Sequence, residues 1–234
     1  DLIIGLGYSH SSNGHTQLPN LGINSALISV SSQLYKKQNQ AYLPPNKNKS
    51  NFETTKHLTF NLEKGIGFHE FGHKDYPIGG KKQLVQTTNF ALGCILKNHY
   101  RAKVGLMYRF YDSYYDYILT HNEPDYSENP KNSSSNVELF VGSEFFLGHL
   151  TIDINLGINA YKPFYKRFEE LFPERKRWEY TVKQIFSTRL GLNLYLVNTN
   201  KLPKNNIYIG PRIKTNFDQA DFTEIAFGYT YRIN

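Results

Sequence analysis

A histidine, a serine and an asparagine near the start of the chain have the types and spacing of a nucleophilic catalytic triad. One residue separates His10 from Ser12, and Asn24 follows after a short loop. A hydroxyl becomes a useful nucleophile only with a base beside it and a third group that orients the base. Residues i and i+2 of a strand point to the same face. We therefore expect His10 and Ser12 to lie side by side, with Asn24 reaching the imidazole from the neighbouring strand.

The residues around this triad resemble two families of outer-membrane lipid hydrolases. The pattern His10-x-Ser12-Asn13-Gly14, with Asn24 after it, is similar to the active site of outer-membrane phospholipase A. The loop of residues 17–23, Gln-Leu-Pro-Asn-x-Gly-Ile, resembles more closely the outer-membrane lipid A 3-O-deacylases, often labelled acyloxyacyl hydrolases. Those deacylases share the His-x-Ser-Asn core but carry a glutamate at the position of Asn24. The motif resemblance covers roughly residues 5–36.

The resemblance and the chemistry together assign a role to each residue. Ser12 attacks an ester carbonyl, while His10 takes its proton and later delivers it to the leaving alcohol. Asn24 accepts from the other imidazole nitrogen and, being neutral, stabilises imidazolium less than a carboxylate would. The resemblance implies that Asn13 and Gly14 supply oxyanion donors. The plainer interpretation is a polar strand end entering a loop, where Ser, His and Asn are common turn residues.

The composition suits a transmembrane β-barrel. The 234 residues have a mean hydropathy of −0.53, with 18 Tyr and 16 Phe against one Trp. The sequence contains no run of 18 apolar residues, so it predicts no membrane-spanning helix. Transmembrane barrels, by contrast, have only a weak apolar signal in each strand and carry girdles of aromatic residues. The only cysteine, Cys94, excludes an internal disulfide. The chain opens directly on the strand-like residues 2–4 without a visible signal peptide, so we expect a mature chain or part of a longer one.

The net charge of +7 does not indicate a nucleic-acid partner, because no basic helix or binding module accompanies it. Small clusters of basic residues, if they lie on outer loops, could instead pair with the phosphates of lipopolysaccharide. These clusters are Lys81-Lys82, Lys166-Arg167 and Arg175-Lys176-Arg177.

Alternation of apolar and polar residues predicts about ten strands in a single antiparallel transmembrane barrel domain over residues 1–234, with further strands possible before Asp1. Besides the two strands of the triad, the runs are 58–68, 90–96, 104–110, 137–147, 150–159, 186–196, 207–213 and 225–233. The polar face of these runs favours a salt-bridged lumen and a lipid-facing exterior in a bacterial outer membrane. It carries Glu63, Lys103, Arg109, Glu138, Glu144, Asp153, Asn155, Arg189, Glu224 and Arg232.

Loop lengths and strand parity give two further expectations. Long connections should lie outside and short turns inside, and the polar segment 37–54 is an exception without a physical explanation. The predicted outer loops are 13–22, 70–83, 115–135, 164–182 and 215–221. By parity, His10, Ser12 and Asn24 share the face of Leu2, Ile4, Leu6, Tyr8, Ala26, Ile28 and Val30. The triad therefore points towards lipid near the outer rim, where an enzyme attacking membrane lipids needs it.

Several competing signals remain open. His69-Glu70-x-x-His73 matches a zinc-protease pattern that requires a helix, but it follows an alternating strand, so we expect no metal site. Asp125 and Glu128 could bind calcium, which the resembling phospholipases use at a homodimer interface. The loop 164–182 could cover a lipid substrate or be an ordinary solvated loop. Lipid A is the first predicted substrate and phospholipid the second; a non-enzymatic pore or structural barrel is the third interpretation.

Overall fold

The computed structural model describes residues 2–13, 18, 22–32, 56–73, 76–77, 80–173, 176–217 and 219–234. Within these residues the protein is built mainly of antiparallel strands, with short helices in the connections. The strands are β1 (Leu2–Ser11), β2 (Ile23–Ser32), β3 (Lys56–His69), β4 (Gly72–His73), β5 (Tyr76–Pro77), β6 (Gln83–Leu96), β7 (Tyr100–Tyr111), β8 (Ser135–Leu147), β9 (Leu150–Tyr161), β10 (Phe186–Tyr195), β11 (Asn205–Asn216) and β12 (Gln219–Arg232).

Eight of these strands close into a barrel. The order is β3, β6, β7, β8, β9, β10, β11 and β12, each antiparallel to the next, and β12 pairs back onto β3. The sequence prediction of an antiparallel barrel is confirmed, but its count of about ten strands is corrected to eight. The difference is β1 and β2, which pair with each other in a separate two-stranded sheet. A third small sheet joins β4 to β5.

The two faces of the barrel have the polarity of a membrane protein. In β3, buried residues alternate with exposed ones, so that Thr59, Asn61 and Glu63 face the lumen while Leu58 and Leu62 face outwards. The same alternation runs through β6, β9 and β11. A continuous apolar exterior around a charged interior is the reverse of a water-soluble domain and is the arrangement of a transmembrane barrel.

Side chains fill the lumen, as expected for eight strands. Glu63 lies between two guanidinium groups, at 2.7 Å from Arg189 and 2.8 Å from Arg212, and Lys103 is 2.8 Å from Asp153. Further buried pairs join Arg101 to Glu144, Arg109 to Glu138 and Arg189 to Glu224. The predicted salt-bridged lumen is confirmed; all the residues predicted for it are buried except Arg232, which is half-buried. This packing disfavours the pore interpretation.

The connections differ sharply between the two ends of the barrel. One end has short turns, at residues 97–99 and 148–149. The other end carries residues 112–134 and 162–185, which contain α1 (Asp112–His121), α2 (Pro130–Ser133), α3 (Tyr165–Leu171) and α4 (Arg177–Ile185). The predicted outer loops 115–135 and 164–182 overlap these two connections, whose helices were not predicted. The predicted outer loop 215–221 is wrong, because β11 ends at Asn216 and β12 begins at Gln219. The short-turn end also carries the longer connection 196–204. Within the described residues, none of the helices is both long and apolar enough to cross a membrane.

A hydrophobic cluster, called here the cap, fills the long-loop end of the barrel. It consists of Phe71, Val85, Tyr111, Tyr114, Ile118, Phe164 and Phe222. Beside it, Lys162 is buried, with its ammonium 3.7 Å from the centre of the Tyr165 ring. The Lys162 ammonium donates to the carbonyl of Lys183 and to the Asn216 side chain, at 3.0 Å each. Burial lowers the pKa of Lys162 well below its usual value.

Candidate functional site

The hairpin of β1 and β2 brings two of the predicted catalytic residues opposite each other. Its register runs from Leu2 against Ser32 to His10 against Asn24. The backbone of Asn24 therefore lies directly across from that of His10. Ser12 directly follows the last residue of β1 and is exposed. The side chain of His10, and all of Gly14, lie outside the described part of the chain.

A tyrosine that sequence reasoning did not assign contacts the predicted orienting residue. The Tyr8 hydroxyl donates to the Asn24 amide oxygen at 2.7 Å. Tyr8 opposes Ala26, one residue pair before His10 and Asn24 on the same face. An amide oxygen can accept two hydrogen bonds, so the bond from Tyr8 does not by itself exclude one from an imidazole. The signal that could have identified Tyr8 is its position two residues before the histidine.

The face of the hairpin that carries Asn24 is apolar and exposed. Leu6 is 84% exposed and Ile28 is 79% exposed, and they oppose each other in the register. Asn24 is exposed at the turn end of this face, and Ser12 and Asn13, which follow β1, are exposed as well. The predicted parity, with the catalytic residues continuing an apolar face, therefore agrees with the register of the hairpin. The roles of His10, Ser12, Asn24, Asn13 and Gly14 stay predictions.

The loop between β1 and β2 touches the barrel at its long-loop end. Leu18 is only 6% exposed, and its backbone N–H donates to the Glu70 carboxylate at 2.9 Å. Glu70 directly follows β3, at the point where the chain enters the connection to β4. The turn of the hairpin, with the candidate site, thus lies on the same side as the cap.

The zinc-protease pattern does not form a helix. His69 is the last residue of β3, Glu70 follows it outside a strand, and His73 ends β4. His69 Nδ1 lies 2.8 Å from the Ser113 hydroxyl, a serine–histidine contact that the sequence analysis missed. Both side chains are buried, at 2% and 3% exposure, beneath the rings of the cap, so an ester cannot approach Ser113. No group of three potential metal ligands occurs among the described residues.

The remaining predicted site residues lie on the long-loop side. Asp125 and Glu128 are exposed in the connection that follows α1, and calcium binding there stays a prediction. The basic residues Lys81, Lys82, Lys166, Lys176 and Arg177 are exposed, whereas Arg175 lies outside the described residues. Arg167 pairs with Glu123 at 2.8 Å and Glu170 at 3.2 Å, and its hydrogen bond to Glu123 raises its pKa.

Comparison with known families identifies the barrel. A family model described as "Acyloxyacyl hydrolase, C-terminal domain" matches residues 57–234. The chain belongs to the acyloxyacyl hydrolase family. The matched residues coincide with the barrel and omit β1 and β2, so His10, Ser12 and Asn24 lie outside them. Membership supports the resemblance to the lipid A deacylases and a hydrolase function; it does not bear on the similarity to phospholipase A.

Other comparisons add little. A structure described as "De novo design of transmembrane beta-barrels" is similar over 76% of this chain and 95% of its own, with 10% identity and a TM-score of 0.36. A search of curated proteins finds no match. The acyloxyacyl hydrolase match is therefore the comparison on which the functional argument depends.

Proposed function

We propose that this member of the acyloxyacyl hydrolase family is a serine esterase of the bacterial outer membrane that removes ester-linked acyl chains from lipid A. The observation that carries the proposal is the register of the hairpin, in which His10 opposes Asn24 at the turn end of an apolar face. Polar side chains on a lipid-facing surface are energetically unfavourable, so their presence there indicates a functional site. An enzyme that attacks acyl esters of membrane lipids needs its nucleophile on such a surface.

The proposed reaction proceeds through an acyl-enzyme. His10 removes the Ser12 proton as the hydroxyl oxygen attacks the ester carbonyl, and the tetrahedral oxyanion is held by Asn13 and Gly14. As the bond between the acyl carbon and the sugar oxygen breaks, the His10 imidazolium gives its proton to that oxygen, and the sugar leaves as an alcohol. His10 then removes a proton from a water molecule as it attacks the acyl-serine. The fatty acid leaves, and the proton returns to the Ser12 oxygen. Asn24, held by the Tyr8 hydroxyl at 2.7 Å, keeps the imidazole in the required tautomer.

Lipid A is the preferred substrate for two reasons. The matched family is named for hydrolysis of acyloxyacyl groups, and residues 17–23 resemble the deacylase loop. The exposed lysines and arginines of the long loops lie on the same side as the turn of the hairpin. Their positive charges are suited to the phosphate groups of lipopolysaccharide, which a guanidinium or ammonium binds through charge-assisted hydrogen bonds.

Phospholipase A activity is the second candidate, because one residue favours it. Asn24 is an amide, as in the phospholipases, and not the glutamate of the deacylases. This alternative carries with it the possible use of calcium, for which Asp125 and Glu128 are the candidate ligands, and a homodimeric enzyme.

The test compares lipids before and after incubation with the full-length polypeptide in mixed detergent micelles. Mass spectrometry should show loss of one lipid A acyl chain with wild type and none with Ser12→Ala. Ser11→Ala is the matched control, since Ser11 opposes Ile23 and lies on the other face of the hairpin, and it should retain activity. Lysophospholipid, with or without calcium, would instead establish the second candidate. No change in either lipid by a folded protein would refute both.

A further inference from the structure

The hairpin of β1 and β2 has no place in the barrel. Every strand of the barrel is hydrogen-bonded on both sides, including β12 to β3, so the ring has no open edge. Within the described residues, β1 and β2 pair only with each other. Each strand therefore presents one row of backbone N–H and C=O groups that no described strand satisfies.

An isolated hairpin of this kind is not a stable structure for a membrane. A two-stranded hairpin is marginally stable at best, and in lipid each unpaired backbone group is strongly unfavourable. Both faces are also open, because nearly every described side chain of β1 and β2 is exposed. Among the described residues, no strand therefore pairs with either edge of the hairpin, and the side chains of its inner face are exposed.

The residue pattern of the hairpin is that of barrel strands. Each strand is ten residues long, which matches the nine to eleven residues of a membrane-spanning strand. One face is apolar and continues the character of the barrel exterior. The other face is dominated by small residues, as a narrow lumen requires, with Ile3, Ile23 and Leu27 as exceptions. These small residues are Gly5, Gly7, Ser9, Ser25, Ser29 and Ser31.

The hairpin also has the orientation of barrel strands. Its turn reaches the long-loop end of the barrel through the contact of Leu18 with Glu70. The strand ends at Leu2 and Ser32 oppose each other at the far end of the hairpin. Residues 33–55 then lead to Lys56, where β3 begins at the short-turn end.

We propose that β1 and β2 are the last two strands of a second β-barrel, whose other strands precede residue 1 in the polypeptide, and that residues 33–55 link the two barrels. This replaces the expectation of a single barrel domain over residues 1–234. The family model covers 57–234 and is described as a C-terminal domain, which favours preceding strands of the same chain over strands of a second copy. The proposal goes beyond the proposed function and does not depend on it.

Hydrogen–deuterium exchange tests this proposal by comparing the full-length polypeptide with the chain 1–234 in the same detergent. Amides of residues 2–11 and 23–32 should exchange more slowly in the full-length protein, on the order of a hundredfold. Their exchange would then require unfolding of the whole second barrel and not only local opening of the hairpin. The strands of the 56–232 barrel are the internal control and should be equally protected in both. Ser12→Ala should leave the protection unchanged, so loss of hydrolysis and loss of protection are separate outcomes.

A second measurement uses a protease site inserted within residues 33–55 of the full-length protein. After cleavage, each fragment should show its own heat-modifiable migration in SDS gels, as folded barrels do. An unprotected hairpin in the full-length protein, an N-terminal fragment that is not heat-modifiable, or a mature polypeptide without strands before residue 1 would overturn the proposal. Protection in the chain 1–234 that rises with protein concentration would assign the edges to a second copy instead, and would also overturn it.

Discussion

Replacing Tyr8 by phenylalanine tests whether the hairpin works as a catalytic unit. The change keeps the ring and removes only the hydroxyl that donates to Asn24 at 2.7 Å. A neutral hydrogen bond contributes about 0.5–1.5 kcal/mol, and about 1.4 kcal/mol in a barrier is tenfold in rate. If this bond holds the amide towards the imidazole, kcat should fall about 2- to 13-fold, while KM stays unchanged because the lost bond joins two protein groups and phenylalanine keeps the apolar ring.

The barrel offers a matched control for this substitution. The Tyr229 hydroxyl donates to the Asn205 side-chain oxygen at 2.6 Å, also between neighbouring strands and also exposed. Tyr229→Phe therefore removes the same kind of bond at a position that faces no proposed catalytic residue. Both variants are assayed as full-length protein, from initial rates of fatty-acid release from lipid A in mixed micelles.

Three outcomes decide the result. A fall in kcat for Tyr8→Phe alone supports the role of Tyr8 in positioning Asn24. Equal losses in both variants would indicate a general effect on folding, and wild-type rates for Tyr8→Phe would refute the reasoning. The loss should also stay smaller than that of Asn24→Ala, which removes the orienting amide itself; a larger loss would mean that Tyr8 acts by another route.

Three further predictions concern the site and the barrel. Asn24→Glu should raise kcat about fivefold, since a charged acceptor makes a hydrogen bond roughly twice as strong; a loss like that of Asn24→Ala would contradict this. Glu63→Gln should lower the unfolding free energy by about 3–5 kcal/mol in urea titrations, because it leaves two buried guanidinium groups undercompensated, whereas the control Glu170→Gln, on the surface, should change it by under ~1 kcal/mol. Burial lowers the pKa of Lys162, so the unfolded chain binds the proton more tightly. Stability should therefore rise with pH from the folded-state pKa towards the unfolded value near 10.4, and Lys162→Met should flatten this slope.

Much of the barrel could be predicted from the alternation of apolar and polar residues along the sequence. In β9, aliphatic residues alternate with polar ones without interruption, and the polar members Asp153 and Asn155 are buried in the lumen. The prediction of β6 began too late, at residue 90 and not at Gln83, because its first half carries Thr87 and Asn89. These polar residues face the lumen and resemble a loop when only apolar residues are counted.

Two features were beyond the reach of local patterns. The helix α1 is rich in tyrosine and is fixed by tertiary packing, since Tyr114 and Ile118 are buried in the cap. The hairpin of β1 and β2 has the same alternation as the barrel strands, and alternation does not specify which sheet a strand joins. Ring closure is decided by distant pairing, such as Thr223 with Phe68, which no short window contains.

The candidate site was predicted as far as backbone register allows. The motif spacing predicted that Asn24 reaches His10 from the neighbouring strand, and the two residues are partners in the backbone register; their catalytic roles stay predictions. Tyr8 was missed because its contact with Asn24 depends on the length of the side chain and not on spacing alone. The contact of Leu18 with Glu70 joins residues far apart in sequence, and no local signal indicates it.

The closure of the ring between β12 and β3 makes folding of the barrel depend on two strands that are far apart in sequence. The bond between Asn61 and Thr230 spans 169 positions, and such distant contacts slow folding because loop entropy is lost before they form. Until β12 is in place, β3 and β11 each expose an open edge that can pair with other chains. Removing the 14 residues of β12 should therefore yield aggregates and not a smaller barrel, and the kinetic barrier to assembly of this barrel belongs to the pairing of β12 with β3.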